Sequence, residues 1–428
     1  MFIRLPAVIA SLIGVILAGA LNDFSAAVMV SIIVAALCVL DAALAPSPTR
    51  LNVTRTGAAS TRVGQEARAE LTIVNPTRRT ITGHLRDAWP PSVNVSPSRH
   101  YFRLRAQSSQ TFPVVYSPSR RGTAHSDAVT IRTNGPLGFA GRQWSMPTDW
   151  QLTVLPPFTA RRHIPSRVRQ LREMDGRALL LVRGEGTEFD SLREYVAGDD
   201  VRAIDWRSTA RLGETVVRTW RPERDRHVIV VLDAGRAGAL RVSDAPAFDA
   251  FIEAALLQCA IAQRAGDRVS VVALSDAVQA RLLSQRSATI THHVARALAD
   301  VEPSLHATDW TGLPHQIATM TNRPAFVVIL TTLGGGTPAS GLIDAVAQLD
   351  QSHTVLIGSA QAEPFKWPDK PEAKDAFDQA AYERSQIEAK NLMRTIERAG
   401  GFVVRAEADK LPTAVVDTYI ELKARGRL

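Results

Sequence analysis

The sequence predicts a multi-domain chain with three folded parts in succession: an N-terminal transmembrane helical hairpin, a β-sandwich and an α/β doubly wound domain. Three observations predict them. Two uncharged apolar runs, Leu5–Leu21 and Phe24–Leu40, open the chain. Short alternating segments set between turn clusters follow, as far as Leu155. From His227 onward, continuous apolar strands alternate with helical periods. A chain of 428 residues exceeds what one ordinary core organises. It divides into residues 1–45 (hairpin), 50–157 (sandwich), 158–226 (connector) and 227–428 (α/β domain).

Each apolar run approaches the roughly 17 residues that span a hydrocarbon core. A backbone in lipid must satisfy its own hydrogen bonds, which makes each run a helix. Only Asn22-Asp23 separates the two. Arg4 precedes the first run, and Arg50, Arg55 and Arg62 follow the second. The positive-inside rule places both flanks in the cytoplasm. That makes a multi-pass protein of the plasma (inner) membrane with cytoplasmic soluble domains. The competing reading is a cleaved signal peptide with Ala18-Gly19-Ala20 as its cleavage site. One basic residue is a poor n-region, however, and a second apolar run follows at once.

Ala45-Pro-Ser-Pro-Thr49 ends the second helix as a short linker. Strand-like stretches such as Ala69–Val74 and Thr111–Tyr116 then lie between turn clusters at Asn75-Pro76, Trp89-Pro-Pro91, Ser96-Pro97 and Asn134-Gly-Pro136. That spacing is the mark of a sandwich. Residues 156–226 read as an Arg-rich connector dense in turn residues. Beyond it, strands at His227–Leu232, Arg268–Leu274, Ala325–Leu330, His353–Gly358 and Phe402–Arg405 alternate with helices. The first helix carries the stripe Phe248, Phe251/Ile252, Ala255, Cys259, Ala262 at core-facing spacing. Apolar strands of this kind build a parallel sheet covered on both faces.

The formal charge of +8 raises the question of nucleic acid. The excess is arginine, with no lysine before Lys366, and acidic residues are interleaved nearly everywhere. No basic stripe or nucleic-acid fold signature accompanies it, so no nucleic-acid partner is expected. Cys38 and Cys259 lie far apart and suit neither a disulfide framework nor a metal knuckle.

In open α/β sheets, sites form beyond the carboxyl ends of the strands. Asp233 lies at such an end, Thr331-Thr332 at another, and Thr308-Asp309 precede a helix. A magnesium site would draw on these oxygens, but positions 235 and 237 are Gly235 and Ala237 and offer none. Arg236 in the same loop suggests instead a guanidinium paired with Asp233 in place of a cation. Gly184-Glu-Gly186 and Gly334-Gly-Gly336 lack the Gly-Lys-Ser/Thr of a phosphate loop. His292-His293 have no carboxylate or cysteine at ligand spacing, and no Gly-x-Ser-x-Gly elbow occurs. Pro364–Asp378 reads as a solvated insertion.

The most distinctive stretch runs from Gly184 to Arg211. Phe189, Leu192 and Val196 would share one face of a short helix. Gly198-Asp199-Asp200 is a turn. Arg193, Arg202, Asp205 and Arg211 suggest a charge-assisted network around the apolar anchors Ile204 and Trp206. An aromatic flanked by arginines is also the composition of an interface hot spot.

These residues resemble the signature of a bacterial family catalogued as domain of unknown function fifty-eight. The similarity rests on Gly184, Gly186, Glu188 and Phe189, then Leu192, Arg193 and Tyr195. It continues through Gly198, Asp199, Asp200, Arg202, Ile204, Asp205 and Trp206, to Ala210, Arg211 and Glu223. Arg121-Gly122 and Gly135-Pro-Leu-Gly138 extend it into the β region, and Gly266-Asp-Arg-Val269 resembles a strand entry of a von Willebrand factor A-like domain. The resemblance implies such a domain at the C-terminus and a MoxR-type AAA+ ATPase as partner, and it implies no enzymatic activity; no cofactor is expected. The chain departs from that domain's metal-ion-dependent adhesion site. Asp-x-Ser-x-Ser is here Asp233-Ala-Gly235-Arg-Ala237, the later Ser-Asp is Thr331-Thr332, and Thr308 matches the site's threonine. The expectation is a membrane-anchored, non-enzymatic scaffold with a degenerate metal site at Asp233, Gly235, Ala237, Thr308 and Thr332. Its interaction residues are Glu188, Phe189, Arg193, Tyr195, Asp199, Arg202, Asp205, Trp206 and Arg211. The rivals are a metal-dependent adhesion or chaperone module, and a hydrolase using Asp199, Asp200 and Asp205.

Overall fold

The computed structural model describes residues 1–20, 24–181, 188–197, 199–221, 226–242, 244–285, 287, 289–334, 340–365, 368 and 372–428. Gly184, Gly186, Gly198, Glu223, Gly335, Gly336 and the Asn22-Asp23 turn lie outside them, as does part of the Pro364–Asp378 segment. The chain forms two compact units, Met1–Pro157 and Phe158–Leu428.

The first unit begins with strand β1 (Phe2–Ile3) and helices α1 (Leu5–Ala20) and α2 (Phe24–Leu44). Helix α2 opens a stretch, Phe24–Arg50, that is long and apolar enough to cross a bilayer, while Leu5–Ala20 is a shorter apolar helix. Most large apolar side chains of both helices are exposed, among them Leu12, Ile16, Ile32 and Val39. Asp41 is the charged residue of these two helices. Its carboxylate is fully buried and accepts backbone N–H groups from Leu137 (2.7 Å), Phe139 (2.8 Å) and Ala140 (2.8 Å). A Cβ at Gly135 would fall 2.2 Å from Asp41 Oδ1, so only glycine lets the loop close on the helix. Arg142 adds bonds to the carbonyls of Ala42 and Ala43.

Eleven further strands follow. They are β2 (Asn52–Gly57), β3 (Ser60–Arg62), β4 (Ala67–Asn75), β5 (Ile81–Ala88), β6 (Val95–Ser96) and β7 (Arg99–Leu104), then β8 (Ser108–Tyr116), β9 (Gly122–His125), β10 (Ala128–Asn134), β11 (Ala140–Pro147) and β12 (Gln151–Leu155). A five-stranded sheet, β1-β11-β10-β5-β7, and a four-stranded sheet, β2-β4-β8-β6, sandwich one core, with a small β3-β12-β9 sheet beside them. Leu71 and Ile73 of β4 meet Leu85 of β5, Phe102 of β7 and Ile131 of β10 in that core. The alternation of β4 and β5, buried at every second residue, is what half-buried strands require.

One charge pair sits inside this sandwich. Arg55 bonds Asp87 and Ser126 Oγ (3.0 Å), and its guanidinium lies 5.2 Å from the Trp89 ring and 5.9 Å from that of Trp150. Trp89 Nε1 also donates to Asp87 (2.9 Å). Removing one member of a buried pair strands the other charge. Asp87→Ala should therefore cost about 3–5 kcal/mol, and Arg55→Met with Asp87→Leu should recover most of it. Denaturant unfolding followed by tryptophan fluorescence checks both values.

The second unit contains helix α3 (Ile164–Leu181), in the stretch read from sequence as a turn-rich connector. Its arginine-rich face hid a helix that docks by Arg167, which chelates Asp417 through two 3.0 Å bonds. Next come β13 (Glu188–Glu194), α4 (Trp206–Leu212) and β14 (Val216–Arg221), with β13 and β14 forming an antiparallel pair of their own. After β15 (His227–Asp233), α5 (Arg236–Ala239) and α6 (Ala247–Arg264) come β16 (Arg268–Leu274) and β17 (Val278–Gln285). Helices α7 (Ile290–Ala297) and α8 (Leu313–Ala318), β18 (Ala325–Thr331), α9 (Ser340–Asp350) and β19 (Thr354–Gln361) follow. Helix α10 (Ala373–Arg398), β20 (Phe402–Glu407) and α11 (Leu411–Ala424) complete the unit.

The sheet order is β17-β16-β15-β18-β19-β20. All pairings are parallel except β16–β17, so the sheet is mixed where a wholly parallel one was expected. The missed strand β17 alternates polar and apolar residues, as an edge strand does. Ile229 and Val231 of β15 pack with Trp310, Ile317, Val346 and Ile396 on one face. Alternation turns Val228, Val230 and Leu232 to the other. At the amino end of β16, buried Asp267 receives Lys423 Nζ (2.8 and 3.0 Å) and the Tyr419 hydroxyl, which fastens α11 to the sheet. Burial is the main influence on Asp267 and raises its pKa, against the lowering effect of Lys423.

Candidate functional site

The carboxyl ends of β15 and β18 meet around Asp233, which is 1% exposed. Leu232 pairs with Leu330, so the next residues, Asp233 and Thr331, lie side by side. Thr331 Oγ1 donates to Asp233 Oδ2 at 2.5 Å, Thr308 Oγ1 donates to Oδ1, and the Gly235 N–H donates to Oδ1 at 2.9 Å. The structure thus brings together Asp233, Thr308 and Gly235 from the expected set. It replaces Thr332 with Thr331, whose place is readable from the parallel register. Thr332 Oγ1 is buried and bonds no other described residue. Ala237 lies in α5 and contributes no polar side-chain atom.

The expected guanidinium on Asp233 is corrected. Arg236 is exposed, its backbone N–H bonds His306 O at 2.7 Å, and no arginine among the described residues bonds Asp233. Two hydroxyls and one amide satisfy the carboxylate, so it has no need of a cationic partner. Gly235 makes this possible: a Cβ there would lie 2.1 Å from Thr308 Oγ1. A magnesium ion fits these residues poorly, since one carboxylate and two hydroxyls supply too few oxygens for the near-octahedral coordination Mg²⁺ demands. Among the described residues no three His, Cys, Asp or Glu side chains cluster as metal ligands.

The signature forms a second constellation. Residues Glu188–Glu194 are a strand, where a helical face of Phe189, Leu192 and Val196 was expected. Pairing with the β-branched Val216-Val217 and Thr219 of β14 prevails over the local helical period. The side chains of Glu188 and Phe189 lie outside the description. Arg193 grips Asp199 through two bonds of 2.7 and 2.6 Å, and the Val196 N–H adds a third donor to that carboxylate. The pairing raises the Arg193 pKa, chiefly through the hydrogen bonds to Asp199. The Tyr195 N–H closes on Thr215 O at 2.8 Å.

Asp200 caps a single turn by accepting the Arg202 N–H. Asp205 caps α4, accepting from Arg207 N and Ser208 N, and its second oxygen takes Arg218 Nε at 2.8 Å. The Ser208 amide first, then Arg218, hold the Asp205 carboxyl below its ordinary range. The expected network of Arg193, Arg202, Asp205 and Arg211 is therefore two separate pairs, Arg193–Asp199 and Asp205–Arg218. Arg202 and Arg211 point to solvent. Sequence reasoning missed Arg218, which the β14 pairing alone brings near. Asp199, Asp200 and Asp205 each serve a local turn or cap.

The fold and these sites define an α/β unit with a hydroxyl-satisfied strand-end carboxylate and an ion-paired hairpin before it, in a chain with an apolar N-terminal helix and a β-sandwich. Residues 191–362, from within β13 to just past β19, match the family model described as Protein of unknown function DUF58. No curated protein matches the chain. Among solved structures, the CARDB domain of the PF1109 protein from Pyrococcus furiosus is similar at 12% identity, over 24% of this chain and 87% of that one, with a TM-score of 0.17. A FixG-related protein from Vibrio parahaemolyticus is similar at 6% identity, over 24% and 96%, with a TM-score of 0.19. Proximal thread matrix protein 1 from the mussel byssus is similar at 12% identity, over 47% and 46%, with a TM-score of 0.27.

The Asp233 geometry predicts metal independence. Thermal melts in magnesium, manganese or EDTA should superimpose, and a metal-dependent rise that Asp233→Asn abolished would restore a cation site. Burial, the largest influence on Asp233, raises its pKa against the three donors that lower it. A folded pKa above the unfolded one gives stability that is full in acid and lost as pH rises through the raised value. Asp233→Asn should accordingly lose less relative to wild type near pH 7 than near about pH 4. Denaturation at the two pH values measures the difference.

Proposed function

We propose that the chain is a membrane-anchored, non-enzymatic scaffold whose soluble part lies in the cytoplasm and docks another protein through the signature hairpin. The carrying observation is Trp206. It is 68% exposed although it stands on the first turn of a helix whose cap, Asp205, is locked by three bonds. Val196, Val201 and Leu212 of the same segment are also more than half exposed. An indole displayed from an already ordered backbone loses little further entropy on binding, which is how interface anchors gain their energy.

The resemblance of the signature supports a MoxR-type AAA+ ATPase as the partner and a von Willebrand factor A-like origin for the six-stranded sheet. The exposed apolar helices and the flanking arginines support a hairpin that crosses the membrane twice.

Trp206→Ala should leave stability within about 0.5 kcal/mol, as for other exposed positions. It should weaken capture of the ATPase by about 2 kcal/mol or more, roughly 30-fold. Binding of the detergent-solubilised chain to the ATPase encoded in the same genome measures this, and undiminished capture would remove the hairpin from the account. For orientation, a reporter active only in the cytoplasm should work when fused after Leu428. Labelling of the second unit by an impermeant reagent in intact cells would reverse it.

A further inference from the structure

The outer face of the five-stranded sheet is cationic over three adjacent strands, β10, β5 and β7. Register sets Arg132, His84 and Tyr101 in one row across β10, β5 and β7, with Arg86 and Arg99 in the next row and Arg103 opposite Thr82. All six are exposed. Asp87, the acid within these strands, turns inward to Arg55, so among the described residues the strands themselves set no carboxylate on this face. No basic run marks it in the sequence, because each arginine alternates with a core residue.

The same sheet is fastened to both apolar helices. Its edge strand β1 leads directly into α1, pairing Phe2 with Gly141 and Ile3 with Ala140. Arg132 lies 5.2 Å from the Phe2 ring, the Arg4 N–H bonds Phe139 O at 2.9 Å, and the neighbouring loop holds Asp41 of α2.

We propose that this face is a docking surface for the anionic phospholipid headgroups of the membrane that α1 and α2 enter. The inference rests on the reading of those helices as membrane-spanning. Guanidinium forks match phosphate oxygens, and Phe2 and the 57% exposed Tyr101 suit the headgroup level. Anionic lipid is concentrated in the cytoplasmic leaflet. Like-charge crowding is already visible at His84. Its pKa is lowered by partial burial and then by Arg4, Arg132 and Arg99. The β1 edge begins at the membrane border. From that edge the cationic strands begin two spacings away at β10 and end four spacings away at β7, about 19 Å.

The test uses the full chain with Cys38→Ala and Cys259→Ala, carrying a polarity-sensitive dye on Tyr101→Cys, in nanodiscs. With phosphatidylglycerol present, the emission should shift to the blue relative to phosphatidylcholine alone. The shift should vanish in about 1 M salt, where the Debye length is roughly 3 Å. It should also vanish when Arg86, Arg99, Arg103 and Arg132 become glutamine, and persist when they become lysine. A second dye, on Ile33→Cys in α2, separates the two ideas. If nitroxide lipid chains quench it while the dye at 101 ignores phosphatidylglycerol, the lipid surface is wrong and the membrane helix stands. If they do not quench it, the membrane reading fails and takes this proposal with it. Retention of DNA or RNA through these arginines, without a lipid response, would overturn it in favour of nucleic acid.

Discussion

A carboxylate removed from water loses several kcal/mol of hydration unless the protein returns the hydrogen bonds. Asp41, Asp87, Asp233 and Asp267 are each 2% exposed or less. Each is answered by different chemistry: three backbone amides, a guanidinium with an indole, two hydroxyls with an amide, and an ammonium with a phenol. Each also ties segments far apart in sequence. Asp41 reaches residues 137–140, Asp87 reaches 55, Asp233 reaches 308 and 331, and Asp267 reaches 419 and 423. The apolar cores supply most of the burial. These acids fix the register in which those cores close, because a shifted register would leave a buried charge without donors.

The signature hairpin obeys the opposite economy. Its acids are partly solvated and spend themselves on nearby turns and caps, so the segment is ordered locally and not by burial. Side chains immobilised in this way hold an exposed indole in place without covering it.

Much of this was legible in the sequence. The apolar strands from His227 to Phe402 and the stripe on α6 are periodic signals read without tertiary knowledge. Helix α3 was not legible, because its Arg167 docks by a bond to Asp417, 250 positions away. Strand β13 was misread as helix for the same kind of reason: its conformation belongs to its partner β14. At the strand end, Asp233 and Thr308 were visible as candidates. Choosing Thr331 over Thr332 required the β15–β18 register, and discarding the arginine required knowing that hydroxyls could reach both oxygens.

The seating of α11 bears on how the second unit comes into being during synthesis. Asp267 is made long before Lys423 and Tyr419, and Arg167 waits longer still for Asp417. Until those residues have left the ribosome, one buried acid lacks its cation and α3 lacks its anchor. In the first unit, by contrast, Asp41 finds its amides within a hundred residues. The emerging chain can therefore settle its helices and sandwich while the α/β unit is still incomplete. A chain halted before α11 would present a finished front and an unfinished rear, the form in which exposed strand edges invite proteolysis and aggregation.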